Sequence, residues 1–123
     1  MHLPREEFEE LVGEAIEGLP DEFSEKLENV LITVREDPSP EDYGHREVAP
    51  GVLLLGLYRG VPLTRRSVFG TNPLPDRIII FQNPIERVCR TRSQIVEQIR
   101  RTVLHEIAHL FGISEDRLRE LGY

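Results

Sequence analysis

The feature that most constrains this chain is a long amphipathic segment close to its C-terminal end. Thr91 and Gln94 have the spacing of a capping box, in which two side chains bond to the free amides of a first helical turn. Apolar residues then recur at helical spacing, namely Ile95, Val96, Ile99, Val103, Ile107 and Phe111. Gly112 follows, and glycine is preferred where a helix ends in a left-handed conformation. The segment therefore predicts one helix of about 20 residues with a single apolar face.

Shorter patterns predict the elements that accompany this helix. Helical spacing of apolar residues predicts an acidic helix over 4–18, and short helices are expected over 20–27, over 83–88 and after the capping residue Ser114. Apolar, β-branched runs predict strands at 29–34, 52–58 and 77–82, with a further brief strand near 67–69. Gly56 is expected to mark a bulge or a close backbone approach. The proline-rich and acidic residues 37–44 predict a surface loop.

The length of the chain limits its organisation. Its 123 residues, 39% hydrophobic and 30% charged, suit one compact domain over 1–123. No apolar run approaches the roughly 18 residues of a membrane span, and the acidic first residues lack the basic and apolar regions of a secretory signal. We therefore expect a cytoplasmic protein that does not bind a membrane.

The cysteine and histidine content limits which residues can form a disulfide or bind a metal ion. Cys89 is the single cysteine, which excludes an internal disulfide and a cysteine-built metal site, so a metal ion would need His, Asp or Glu ligands. Arginines near Cys89 would lower the pKa of its thiol, but without a base nearby we expect a structural cysteine. His2 and His45 have no partner at ligand spacing, so we interpret both as ordinary surface histidines.

Charge is unevenly distributed along the sequence. The net charge of −7 argues against nucleic-acid binding, because phosphates attract a cationic surface. Residues 1–50 carry fifteen acids and four bases, whereas 51–123 carry seven acids and eleven bases. We expect ion pairs between the two parts. The arginines expected to pair with the acidic first helix or to remain in water are Arg87, Arg90, Arg92, Arg100 and Arg101.

The long helix contains a pattern that suits metal chemistry. His105 and His109 stand four residues apart, so their imidazoles lie on one face, one turn apart, and can share an ion. Glu106 projects about 100° from His105 and about 60° from His109, outside that ligand face but within reach of a water on the ion. This is the position of a general base.

The two histidines lie outside the apolar arc of the helix. On a helical wheel they share a sector with Gln98 and Thr102, so this side is expected to form the polar floor of a cleft. A third ligand can follow the helix, because Gly112 permits a sharp turn and Glu115 comes three residues later. His105, His109 and Glu115 make the three protein ligands typical of hydrolytic zinc. Asp116 is a second candidate.

A plainer interpretation of the last residues stays open. Ser114, Glu115 and Asp116 have the composition of an ordinary helix start, where a hydroxyl caps the first turn and acids favour the N-terminus. In that case Glu115 would have no role towards a metal ion.

The extended pattern from His105 to Glu115 resembles that of the zincin metallopeptidases, and most closely the small bacterial zincin-like, or minimal, metalloproteases. The resemblance implies an α+β domain with a small mixed sheet packed on an N-terminal helix and a long active-site helix. It also implies that His105, His109 and Glu115 bind Zn²⁺, that Glu106 activates the metal-bound water, and that a peptide or protein is the substrate.

The sequence departs from the larger zincins in two ways. Met1 is the sole methionine, so a Met-turn is missing, and only eight residues follow Glu115, too few for a lower subdomain. In larger zincins an edge strand beside the active helix pairs with the substrate, which here implicates 52–58 or 77–82. Tyr58, Tyr123 and the arginines are all candidates for the oxyanion stabiliser.

Two other functions fit parts of the pattern. A non-catalytic zinc-binding domain that acts as a protein interaction module would explain the missing subdomain. A metal-dependent ribonuclease would also use clustered histidines, but Glu106 and the negative net charge count against it. The oligomeric state stays open.

Overall fold

The structure is a computed structural model that describes residues 1–44, 53–60 and 76–123. Its helices are α1 (Arg5–Glu17), α2 (Asp21–Ser24), α3 (Pro40–Gly44), α4 (Gln82–Val88), α5 (Arg92–Phe111) and α6 (Glu115–Glu120). Its strands are β1 (Val30–Arg35), β2 (Gly56–Arg59) and β3 (Asp76–Phe81), and a 3₁₀ turn at Glu25–Leu27 follows α2. The predicted helices are confirmed, and the three strands agree to within a few residues. The strand expected near 67–69 and His45 lie outside the described residues.

The strands form a mixed sheet in the order β1-β3-β2. β1 runs parallel to β3, and β2 runs antiparallel to it. β3 is therefore the central strand, and within the described part of the chain β1 and β2 are the outer ones. This arrangement of helices and a small mixed sheet confirms the expected α+β fold.

The main core lies between α1, α5 and one face of the sheet. Its largest fully buried side chains include Phe8, Phe23, Ile78, Ile80, Ile95, Ile99, Leu104 and Ile107. Side chains alternate along β3, so Ile79 and Phe81 point to the other face, where they form a smaller cluster with Leu54 and Leu57. The apolar run of β3 is thus explained by burial on both faces.

Helix α5 begins and ends as its sequence predicts. The Thr91 hydroxyl accepts a hydrogen bond from the Gln94 amide at 3.1 Å. The Gln94 side chain reaches back to accept from the Arg90 amide at 2.7 Å, one residue before the position expected in a capping box. Gly112 has φ of +66°, and the Ile113 amide donates to the Ala108 carbonyl. The left-handed glycine cap is therefore confirmed.

The far end of α5 differs from the prediction. Phe111 was expected on the core face, but 48% of it is exposed, and the Lys26 ammonium lies 4.7 Å from the centre of its ring. Leu110 is also exposed. Helical periodicity predicts the direction in which a side chain points, but it does not predict how far the core extends along the helix axis.

The segment 37–44 also differs from the prediction of a surface loop. It contains α3, and that helix buries the carboxylate of Asp42 completely. The Asp42 Oδ2 atom accepts hydrogen bonds from the Ser39 amide and the Ser39 hydroxyl. Ser39-Pro40-Glu41-Asp42 thus has the spacing of a capping box with proline at the first helical position, and this signal predicts a helix start.

Several ion pairs join the acidic and basic parts of the sequence, as expected. Arg92 contacts Glu7 at 2.9 Å, and Arg117 contacts Glu22 at 2.6 Å. Arg100 instead pairs with Glu97 on its own helix and donates to the carbonyl of Ala15 near the end of α1. None of the helices within the described residues is long and apolar enough to cross a membrane.

Two smaller predictions concern the N-terminal segment and Cys89. His2 is on the surface as expected, but it has a partner, because its Nδ1 atom lies 2.8 Å from the buried Glu86 carboxylate. The same carboxylate accepts from the Leu3 amide and from Gln82. Cys89 is buried, and burial raises the pKa of its thiol, so the structural interpretation is favoured over a reactive one.

Candidate active site

The candidate site begins where β2 crosses α5. Gly56 opens β2, and a Cβ atom there would lie 2.5 Å from the Thr102 γ-methyl and 3.2 Å from the Ile79 carbonyl oxygen. Only glycine allows the strand and the helix to approach this closely, which confirms the expected close backbone approach. Thr102 is buried under the strand, and its hydroxyl donates to the Gln98 carbonyl. This part of the predicted cleft floor is therefore covered.

One turn further along α5, the carboxylate of Glu106 is buried against β2. The Glu106 residue is 5% exposed, and its Oε2 atom accepts a hydrogen bond from the Tyr58 amide at 3.2 Å. The Phe81 amide donates to the Leu55 carbonyl, so Leu55 faces β3 with its backbone groups. In an antiparallel pair this orientation alternates, and the Tyr58 amide therefore points away from β3. Glu106 is held at the outer edge of β2.

The two histidines lie beside this buried carboxylate on the solvent side of α5. His105 is partly exposed, and His109 is exposed one turn later. The His105 Nδ1 atom lies 3.9 Å from Oε1 of Glu115, at the start of α6. Ser114 caps α6 by accepting from the Arg117 amide, and the buried Leu118 anchors the helix to the core. The structure thus brings Glu115 back to His105 across the Gly112 turn.

Asp116, the alternative third ligand, has different surroundings. Its carboxylate lies 3.6 Å from Arg119 and its side chain is 85% exposed. Glu115 is therefore the carboxylate that approaches a histidine of α5.

The donor set at this end of α5 has the right chemistry for zinc, because imidazole nitrogens and a carboxylate are common zinc ligands. Within the described residues, no three His, Cys, Asp or Glu side chains stand close enough together to hold an ion. His105 and Glu115 are adjacent, and His109 lies one turn further along α5. All three are partly or fully exposed, and exposed side chains change rotamer within nanoseconds. The donors therefore fit zinc by chemical type, while among the described residues their side chains are not gathered around a common point.

The tyrosines suggested as oxyanion stabilisers differ in position. Tyr58 lies on β2 next to Glu106 and is partly buried against the main core. Tyr123 also packs on the core, and the Arg101 guanidinium lies 6.0 Å from the centre of its ring. Tyr58 is therefore the tyrosine next to the candidate base, because its own amide contacts Glu106.

The question of the edge strand is decided by the sheet order. Residues 76–81 form the central strand, so the strand 77–82 is not the edge beside α5. β2 lies against α5 and, in the described ranges, has a strand on one side only.

The hydrogen bond between the Tyr58 amide and Glu106 was not predicted from the sequence. Every residue except proline has a backbone amide, so the residue type gives no indication of such a partner.

The structure thus places a helix that carries two histidines and a glutamate beside an outer strand. A family model for zincin-like metallopeptidases matches residues 27–123, so the chain belongs to this family. A conserved hypothetical protein from Thermus thermophilus has a similar solved structure, with a TM-score of 0.56 and 27% sequence identity. The match covers 89% of this chain and 94% of that one. No curated protein matches the sequence. Family membership supports zinc binding and a zinc-dependent, protease-like function in general.

Proposed function

We propose that this protein hydrolyses peptide bonds with the help of zinc and that Glu106 is its general base. The observation that carries the proposal is the placement of the Glu106 carboxylate. It is buried against the Tyr58 amide, directly beside the exposed strip that carries His105 and His109. A general base must lie within hydrogen-bond reach of the water it deprotonates, and Glu106 supports this role because it directly follows His105 on the turn of α5 that leads to His109.

The chain's own residues have separate roles in this mechanism. His105, His109 and Glu115 would hold the metal ion, since Glu115 returns to His105 after the Gly112 turn. A zinc ion held there would supply Lewis-acid polarisation and lower the pKa of a water molecule. Glu106 accepts a proton from the attacking water and passes it to the leaving amine. The Tyr58 amide orients the Glu106 carboxylate through the 3.2 Å hydrogen bond.

The substrate is a peptide or protein segment bound in extended form along β2. The backbone amide and carbonyl of Gly56 point away from β3, and an extended chain pairs with such groups by strand addition, while the Tyr58 amide on the same edge is taken by Glu106. Binding along β2 places the peptide directly beside Glu106. We expect neither a nucleic acid nor a membrane among the partners.

The test begins with zinc analysis of protein purified without a metal-affinity tag, followed by a peptide-cleavage screen. We expect about one zinc per chain, as a three-ligand site requires. Glu106→Gln should then lower kcat/KM by about 100-fold or more, because positioned general bases contribute on the order of 10²–10⁴. Glu97→Gln is the matched control, since this glutamate lies on the same helix but pairs with Arg100, away from the site.

Full activity in Glu106→Gln would contradict the mechanism, because the base would have to be another group. A chain that binds zinc but leaves unfolded proteins and short peptides intact would favour the second candidate, a zinc-binding interaction module. Met1 is the sole methionine of the sequence, and the missing Met-turn is the departure from the larger zincins that favours that candidate.

A further inference from the structure

The face of the sheet opposite α5 buries a second carboxylate, which belongs to Asp42. Asp42 is 0% exposed, and its Oδ2 atom accepts from the Ser39 amide at 2.6 Å and from the Ser39 hydroxyl at 3.0 Å. Arg35 lies 3.4 Å from Oδ2, and Arg59 lies 3.6 Å from Oδ1. Oδ1 has no hydrogen-bond partner among the described residues, so Arg59 acts on it through charge. Asp42 is thus held between two guanidinium groups.

These two arginines belong to different strands. Arg35 is the last residue of β1, Arg59 is the last residue of β2, and β3 separates the two strands. Asp42 therefore connects both outer strands across the central one. Burial raises the pKa of Asp42, but the Ser39 hydrogen bonds and the two arginines outweigh it, so the net pKa is lowered. The carboxylate is charged at neutral pH and attracts both arginines.

The same short strand carries the contact to Glu106. Arg59 directly follows Tyr58, and successive side chains of a strand point to opposite faces. Tyr58 and Arg59 are the last two residues of the four-residue strand β2. Asp42 attracts Arg59, the last residue of β2, on one face of the sheet. The Tyr58 amide donates a hydrogen bond to Glu106 at the outer edge of the strand. The contact with Asp42 and the contact with Glu106 thus fall on neighbouring residues of one strand.

We propose that Asp42 is a positioning residue for Glu106, which fixes β2 through Arg59 and so holds the Tyr58 amide against the Glu106 carboxylate. The catalytic consequence rests on the proposed function, whereas the contact itself is independent of it. The contact can be measured directly, because a hydrogen-bonded amide is protected from exchange with solvent deuterium.

The experiment measures hydrogen exchange at the Tyr58 amide in the full chain. Asp42→Asn removes the charge, and Arg59→Gln tests the same link from the partly exposed partner in case Asp42→Asn folds poorly. Glu41→Gln is the matched control, because Glu41 is an exposed carboxylate in the same helix. We expect protection at Tyr58 to fall about tenfold in both test variants, the size of a lost hydrogen bond to a charged group, and to remain unchanged in the control.

A second amide separates local positioning from general destabilisation. Ile99 lies in the buried centre of α5, so its amide reports global opening. The proposal requires protection from exchange to fall more at the Tyr58 amide than at the Ile99 amide. It also requires this extra loss to disappear when Asp42→Asn is made in a Glu106→Ala background, because the acceptor of the Tyr58 amide is then already missing. Equal losses at the two amides, or no loss in either test variant, would overturn it.

Measurements of kcat and KM test the catalytic consequence of the positioning role, separately from the hydrogen-exchange test of the contact. If the chain cleaves peptides, Asp42→Asn should lower kcat with KM little changed, because the base is misplaced while the β2 edge persists. A raised KM with unchanged kcat would contradict the positioning role. If no peptide is cleaved, the exchange result still decides the link between Asp42 and Tyr58, and only the proposed function fails.

Discussion

Two carboxylates are buried next to β2, Asp42 on the face of the sheet opposite α5 and Glu106 at the outer edge of the strand, and their surroundings differ. Asp42 accepts two hydrogen bonds from Ser39 and lies between two arginines. Glu106 accepts from a backbone amide and stands beside two histidines that are open to solvent. Surrounding cations stabilise the charge of Asp42 and commit it to structure. Burial alone therefore does not identify a reactive carboxylate, because the neighbouring groups decide its role.

Of the substitutions considered, we expect the replacement of Asp42 to lower the free energy of unfolding the most. Asp42→Ala should lower the free energy of unfolding by about 2 kcal/mol, because Ser39 loses a charged acceptor and two partly exposed arginines lose their partner. Urea unfolding measures the change, with Glu41→Ala as the exposed control on the same helix. A loss no larger than in the control would mean that Asp42 does not hold the strands.

The next effect concerns the closeness of β2 and α5. Gly56→Ala should lower the free energy of unfolding by about 1–3 kcal/mol, because the new methyl group would lie 2.5 Å from the Thr102 γ-methyl. Thr102→Ser removes that γ-methyl and keeps the hydroxyl, so the double variant should regain much of the loss. Thermal unfolding of the single and double variants tests this, and independent, additive effects would contradict the contact.

A smaller effect appears in the pH dependence of stability. The pKa of Asp42 is lowered in the folded state from its ordinary value of 3.8, so its charge stabilises the fold above that pH. The contribution is lost as the pH falls through the lowered pKa. The difference in unfolding free energy between the parent chain and Asp42→Asn should therefore be constant near neutrality and shrink below about pH 3.8. A difference that grows on acidification would reverse the assigned sign.

The smallest effect is expected for Glu106. Glu106→Gln keeps an oxygen that accepts from the Tyr58 amide, so the free energy of unfolding should change by less than about 1 kcal/mol. Chemical denaturation, run beside the Asp42 variant, measures both. A loss as large as that of Asp42→Ala would remove the contrast between a structural and a reactive carboxylate.

Local signals in the sequence predicted much of the architecture. Thr91, Gly112 and Ser114 cap their helices as expected, because a cap involves atoms only a few residues apart. The spacing of His105 and His109 also put both on one strip of α5. The helix start at Ser39 was available in the sequence too, since its capping box precedes α3.

Contacts between distant residues could not be predicted in the same way. The Tyr58 amide and Glu106 are 48 positions apart in sequence, and their hydrogen bond exists only because β2 packs on α5. Likewise, Phe111 is exposed because the core ends before the last turn of α5. Residues 56–59 form the outer strand beside α5 because of the order of the strands in the sheet.

Residue spacing was therefore sufficient to predict the long helix, its two caps and the two histidines with an adjacent glutamate, because these follow from the regular geometry of a helix. Packing of the whole chain was needed to show which strand meets that glutamate, which carboxylate returns to His105 and which aspartate joins the outer strands. The two kinds of interaction differ in their range along the chain. Capping and periodicity act over one or two turns, whereas strand order and buried ion pairs result from the packing of the whole domain.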